Sequence, residues 1–339
     1  MLEHPLTALI ESVNTTHPGL GNLAAISVVA AKARQCLITV AAPGTGKSTI
    51  TNWLQAKHPN AFVEDSYTRS SLKALEEQFN GFDGLLLIDD IGKIDSDWSR
   101  VQTLVTLAEL VYGHFIGKHT KDIHINIDDF HGAAVMNIQP NVLKEVIEHP
   151  TWQSNLADKS LRYYHLYRAI DPALTELDVE IDWGLNFPDV LKYEGDPVWF
   201  DAILDIGLQQ WTRARAMEHC HALIRAVAAL GNHYAPDQVD CQVLLELMLP
   251  MTVEMEVSEQ SGFGGKVTLN VGLLYLLSEF ASYQNVTYEI IAQDMKIKIR
   301  RVAMILESMS EWFEKVGINP VILQPTKELT QLLKRAGLR

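Results

Sequence analysis

Cys36-Leu37-Ile38-Thr39-Val40-Ala41-Ala42-Pro43-Gly44-Thr45-Gly46-Lys47-Ser48-Thr49 is the stretch that decides the fold. Its first six residues read as a short buried strand without polar alternation. Residues 47–56 then carry a helical pattern, and between strand and helix lies a turn with two glycines. Ala41 to Ser48 has the spacing of a phosphate-binding loop, with Ala41 where the strict pattern has glycine. Gly44 and Gly46 free the backbone to turn its N–H groups inward, and the following helix start adds its dipole. Lys47 would neutralise the β- and γ-phosphates of ATP, and the Ser48 hydroxyl would hold Mg²⁺. Pro43, Gly44, Thr45, Gly46, Lys47, Ser48 and Thr49 are the candidate nucleotide-contacting residues.

Working outward, Leu85-Leu86-Leu87-Ile88-Asp89-Asp90 supplies a second buried strand with two acids at its C-terminal end. That is the end at which α/β sheets bind ligands. Asp89 would hold Mg²⁺ through its water shell, and Asp90 stands where a base could orient or deprotonate an attacking water. Further strands are expected at 61–64, 133–138 and 163–167, with helices at 71–79 and 101–112. This alternation predicts a parallel sheet with crossover helices over residues 1–170.

The chain has 339 residues, 47% of them hydrophobic, and a formal net charge of −14. The apolar fraction supports packed cores, the charge argues against a surface coated with nucleic acid, and no run reaches the length of a membrane span. Three scattered cysteines, Cys36, Cys220 and Cys241, give no disulfide framework or paired zinc spacing, which points to a reducing cytoplasm. His219-Cys220-His221 reads as packing, because adjacent helical residues point apart and do not share an ion. Charge is uneven: residues 171–205 hold ten acids against Lys192, whereas 286–339 hold nine bases against six acids.

The two nucleotide motifs resemble those of the AAA+ ATPases. Leu87-Ile88-Asp89-Asp90-Ile91-Gly92 is similar to the stretch in bacterial replication initiators, helicase loaders and transposition helpers. Asp90 stands where many members have glutamate, which implies a shorter base and slow turnover. The resemblance implies further parts. Asn137, at the end of the 133–138 strand, resembles the sensor that places the attacking water. Arg162 is the candidate arginine finger reaching into a neighbouring subunit, with Lys159 and Arg168 as rivals. The helix expected at 212–230 resembles the start of a helical lid, in which Arg213, or alternatively Arg215, would contact the γ-phosphate. The lid and an acidic connector are placed at 171–260, with residues 258–265 as a linker. The lid pairing also resembles that of minichromosome maintenance helicases.

Residues 261–339 predict a compact helical unit ending in a short strand pair. Helices at 271–281, 287–295 and 298–310, strands within 313–324 and a closing helix at 327–336 resemble a winged helix. Lys296, Lys298, Arg300 and Arg301 cluster at the start of its third helix, the end that enters the major groove in this motif. They are the candidate DNA contacts, and a protein-docking winged helix is the alternative.

The expected fold is thus an α/β phosphate-loop core, a helical lid and a winged helix. The expected activity is ATP hydrolysis by a homo-oligomeric ring or filament acting on DNA, with Mg²⁺ and without a membrane. A protein-remodelling ATPase or adaptor and a nucleotide-gated signalling protein are the rival classes.

Overall fold

The computed structural model describes residues 4–67, 69–114, 116–119, 124–152, 156–168, 176–260, 267–318 and 320–338. Two helices, α1 (Pro5–Thr16) and α2 (Gly21–Lys32), precede the first strand, β1 (Cys36–Val40). The chain continues through α3 (Lys47–Lys57), β2 (Ala61–Val63), α4 (Arg69–Ala74), α5 (Glu76–Phe79), β3 (Leu85–Ile88) and α6 (Asp97–Gly113). A hairpin, β4 (Ile116–His119) and β5 (His124–Ile127), leads to β6 (Ala133–Ile138), α7 (Pro140–Ile147) and β7 (Leu161–Tyr164). Then follow α8 (Pro197–Gly207), α9 (Arg213–Leu230), α10 (Gln238–Met248), α11 (Val253–Val257) and the strand pair β8 (Ser258–Gln260) and β9 (Val267–Leu269). The last unit is α12 (Val271–Ser282), β10 (Val286–Thr287), α13 (Tyr288–Asp294), α14 (Ile299–Glu307), β11 (Phe313–Val316), β12 (Ile322–Pro325) and α15 (Lys327–Arg335).

The protein is mixed α/β. Five strands form a parallel sheet in the order β2-β3-β6-β1-β7. Strand residues alternate between two apolar layers. Leu37, Leu85, Leu87, Val135 and Tyr163 face a core shared with α2 and α3, while Ile38, Leu86, Ile88, Met136 and Tyr164 face one shared with α6 and α7. With both faces covered, β1, β3, β6 and β7 are buried along their whole length, as a parallel sheet requires.

The expected boundary near residue 170 is not a boundary in the packing. Leu223, Val227, Leu244 and Met248 of α9 and α10 lie in the same apolar core as α2 and the sheet face. These helices are a layer of the core rather than a lid over one sheet edge. Of the acidic stretch, residues 171–175 lie outside the described residues. The following segment straps the outer side of α3: the Trp53 indole donates to the Val179 carbonyl at 2.8 Å, and Lys57 pairs with Asp178 and Glu180. The expected linker is in part a strand, because residues 258–260 pair with 267–269; residues 261–266 lie outside the described residues.

The C-terminal unit packs on the other layer. Leu273, Leu277, Phe280, Val302 and Leu332 share their apolar core with Leu104 and Leu143. Its three-stranded sheet has the order β10-β12-β11, with α13 and α14 joined by a short turn. Among the described residues, no helix is long and apolar enough to cross a membrane.

Candidate functional site

Residues 41–46 leave the C-terminal end of β1 and close into α3. Gly44 and Gly46 have φ of 78° and 82°, the left-handed region in which a side chain is strained. Gly46 is also crowded, since a Cβ there would lie 2.8 Å from Leu20 Cδ2, whereas Gly44 faces open space. The loop holds itself through Ala42, whose carbonyl accepts from Thr45 Oγ1 at 2.9 Å and from Lys47 Nζ at 3.4 Å. Lys47 is only 7% exposed. Burial lowers its pKa, and the nearby carboxylates of Asp90 and Asp89 oppose that shift. The loop lysine and the two acids that follow β3 therefore share one electrostatic site.

Asp89 continues the parity of Leu85 and Leu87, so it faces the α3 layer. Burial pushes its pKa up, but the Lys93 ammonium and the Ser48 hydroxyl outweigh burial and hold it below the usual carboxylate range. Its Oδ1 is buried and has no hydrogen bond, while Oδ2 accepts from Lys93. A hydroxyl beside a carboxylate with an unused oxygen fits a hard cation such as Mg²⁺. Asp90 is held differently. Its Oδ1 accepts from the Gly92 N–H at 2.8 Å, and its Oδ2 accepts from Gln139 Nε2 at 2.9 Å.

The structure sets Asn137 against α3. Asn137 is paired with Thr39 inside the sheet and is 2% exposed. Its amide nitrogen donates to Thr51 Oγ1 at 2.8 Å and, at 3.5 Å, to the Lys47 carbonyl, which fixes α3 to β6. The polar side chain that touches Asp90 is Gln139, just past the strand end. The sequence signal for it was available, because Gln139 precedes Pro140, which opens α7.

Arg162 is also corrected. It lies inside β7, 1% exposed, with Nε donating to both oxygens of Glu254 at 2.9 and 2.7 Å. Nη1 donates to the Ser160 carbonyl and Nη2 to the Gln210 carbonyl, each at 2.9 Å. Every nitrogen of the fork is committed within the chain, so it cannot serve a neighbouring subunit. Arg168 is likewise buried, paired with Asp294 and lying 3.8 Å from Glu279. Of the three candidates only Lys159 is half-exposed.

Arg213 and Arg215 lie at the opposite edge of the sheet from the loop. At the start of α9, the Thr212 N–H donates to Asp158, which precedes β7, and His219 bonds Gln35, which precedes β1. The Arg215 guanidinium stacks 4.2 Å from the Tyr112 ring centre, near the C-terminal end of α6. The length of β1, roughly 16 Å, separates these arginines from residues 41–48. Neither reaches a γ-phosphate within one chain. His219 and Cys220 are buried in packing, as expected.

His165, which the motifs did not reveal, braces the loop. It follows β7, is 4% exposed, and its Nε2 donates to the Thr45 carbonyl at 2.9 Å. Burial lowers its pKa to about 4, and burial does the same to His219. In both cases the folded state refuses a proton that the unfolded chain binds near pH 6.5. Stability is therefore complete above pH 6.5 and falls as the pH drops toward 4, by about 1.4 kcal/mol per unit for each site. Urea unfolding at stepped pH should show this loss, and His165→Gln should reduce its slope. An unchanged slope would mean that His165 does not contribute.

In the C-terminal unit, Lys296, Lys298, Arg300 and Arg301 are all exposed around the turn into α14. None of them forms an ion pair among the described residues. Lys296 has a left-handed φ of 52°, which bends the chain between α13 and α14. Two apolar side chains stand beside them, Ile299 at 48% and Met304 at 67% exposure. No protein-family model matches the sequence and no curated protein matches it, so what the chain does is read from this geometry.

Proposed function

We propose that this chain is an ATPase of the AAA+ type with a C-terminal winged helix, acting on DNA. The observation that carries the reading is the meeting of Lys47, Asp89 and Asp90 at the C-terminal edge of a parallel sheet, beside a loop shaped by Gly44 and Gly46. The loop N–H groups and Lys47 receive the phosphates of ATP. Ser48 and Asp89 would hold Mg²⁺, whose Lewis acidity would stabilise charge on the phosphates. Asp90 accepts the proton of the attacking water. Both its oxygens are engaged at rest, so Gln139 must loosen as the water arrives, and it then keeps the carboxylate aimed.

DNA is the proposed partner of Lys296, Lys298, Arg300 and Arg301, whose charges no carboxylate of the described residues neutralises. Hydrolysis measured with and without duplex and single-stranded DNA tests the whole reading, and stimulation by DNA is the expected result. For the full chain, replacing the four bases with alanine should flatten the salt dependence of duplex binding by about 3 to 4 units. Basal hydrolysis should remain, since the loop lies in a different unit. An unchanged salt slope in a folded variant overturns the DNA assignment. Exposed Ile299 and Met304 then favour the second reading, a protein-docking winged helix on the same ATPase.

A further inference from the structure

A second cleft, of about 380 Å³, lies at the opposite edge of the sheet from residues 41–48. Its floor comes from residues just before β1, β2 and β3, and its wall from the strap around Trp183. The volume is in the range of small-molecule sites.

Three donors line it. Lys32, at the end of α2, is half-buried and forms no ion pair among the described residues. Burial and the neighbouring Arg34 guanidinium lower its pKa, and the carboxylates of Asp83 and Asp182 oppose that shift. Arg34 holds a left-handed φ of 56°, and one of its nitrogens pairs with Asp83 at 2.7 Å. That conformation closes the C-terminal end of α2, where the Arg34 N–H donates to the Ala31 carbonyl and the Gln35 N–H to the Ala30 carbonyl. His58 accepts the Asn60 N–H on Nδ1 at 3.1 Å, so its proton is on Nε2, which is left to donate. Burial keeps this ring neutral near pH 7.

The wall is aromatic and fixed. The Trp183 indole stands edge-to-face on His58 at 4.7 Å and donates to the Lys57 carbonyl at 3.3 Å. Exposed Asn186 adds an amide able to donate and accept. Acids are present too: Asp83 lines the cleft paired with Arg34, exposed Asp189 lines it as well, and Asp182, which acts on Lys32, accepts from the Gly184 N–H.

We propose that this cleft is a binding site for a small ligand that joins a planar ring to a single oxyanion group, of the size of a nucleoside monophosphate. The oxyanion meets Lys32, Arg34 and the Nε2–H of His58, and the ring lies against Trp183. The site is independent of the ATPase reading, because it shares no residue with the loop.

AMP is the probe, titrated into the full chain by calorimetry, with adenosine and inorganic phosphate as the two halves. One AMP per chain is expected, bound at least tenfold more tightly than either half. Lys32→Ala should weaken AMP at least tenfold and Lys32→Arg should restore it, while Lys47→Ala should leave it within threefold. Absence of AMP binding up to millimolar concentration overturns the proposal. So does an affinity indifferent to Lys32→Ala, or one matched by adenosine or phosphate alone. AMP binding that survives Lys32→Ala but disappears in Lys47→Ala assigns the ligand to the loop and also overturns it.

Discussion

Lys47→Ala is expected to lose ATP binding by on the order of 10²-fold or more, the cost of truncating one partner of a buried charged contact. The side chain is almost enclosed, and its ammonium lies between the Ala42 carbonyl and the carboxylates of Asp89 and Asp90. Without it, two acids face the incoming phosphates with no cation from the loop. Asp90→Asn is expected to behave differently. Asparagine can still accept from Gly92, so the loop and the affinity survive within about threefold, while hydrolysis falls by roughly 10² to 10⁴, the usual contribution of a general base. Calorimetry with a non-hydrolysable analogue and a phosphate-release assay separate the two. Equal loss of binding in both variants would show that Asp90 holds the nucleotide or its metal rather than the water.

The second large effect falls on stability. Arg162→Ala strips the Glu254 carboxylate of its buried partner and leaves the Gln210 carbonyl without its Arg162 donor, while the Ser160 carbonyl keeps only that of the Trp211 indole. Breaking a buried pair in this way costs about 3–5 kcal/mol. Urea unfolding should therefore register a large loss. Arg162→Met combined with Glu254→Leu should recover most of it, because an apolar pair leaves no uncompensated charge. Mixing Arg162→Ala with Asp90→Asn subunits should restore no hydrolysis. A variant of native stability with impaired hydrolysis that is rescued by mixing would return Arg162 to the role of a finger.

These expectations differ in how far the residues alone could carry them. Lys47, Asp89 and Asp90 were legible because each belongs to a local pattern, a strand end joined to a loop or helix, whose geometry is set within a few residues. The helices of the C-terminal unit were legible for the same reason, since their apolar spacing and caps are local. Arg162 failed through a shift of two residues. With a strand starting at Tyr163 it stands in solvent, but with the observed start at Leu161 it is a core position of an internal register with β1. Asn137 lies against α3, and the residue that meets Asp90 is Gln139, one alternation further along and past the strand end. Arg213 was misplaced because helical periodicity states which face is apolar and not which surface that face meets. The bracing of Thr45 by His165 joins residues 120 positions apart, and no local pattern encodes it.

That last contact also governs when the loop can exist. At synthesis rates of about 5–20 residues per second, His165 leaves the ribosome roughly 6 to 24 seconds after Thr45. Until then β1 lacks β7 as its neighbour, and the turn that follows β1 lacks its brace. Contacts so distant in sequence form slowly because the intervening chain must be closed first. A nascent chain therefore carries the glycines and the lysine for many seconds before it can hold a nucleotide with them. On the proposed reading, ATP stabilises this protein only after the sheet is complete, and the early interval is when its apolar strands are open to misassembly.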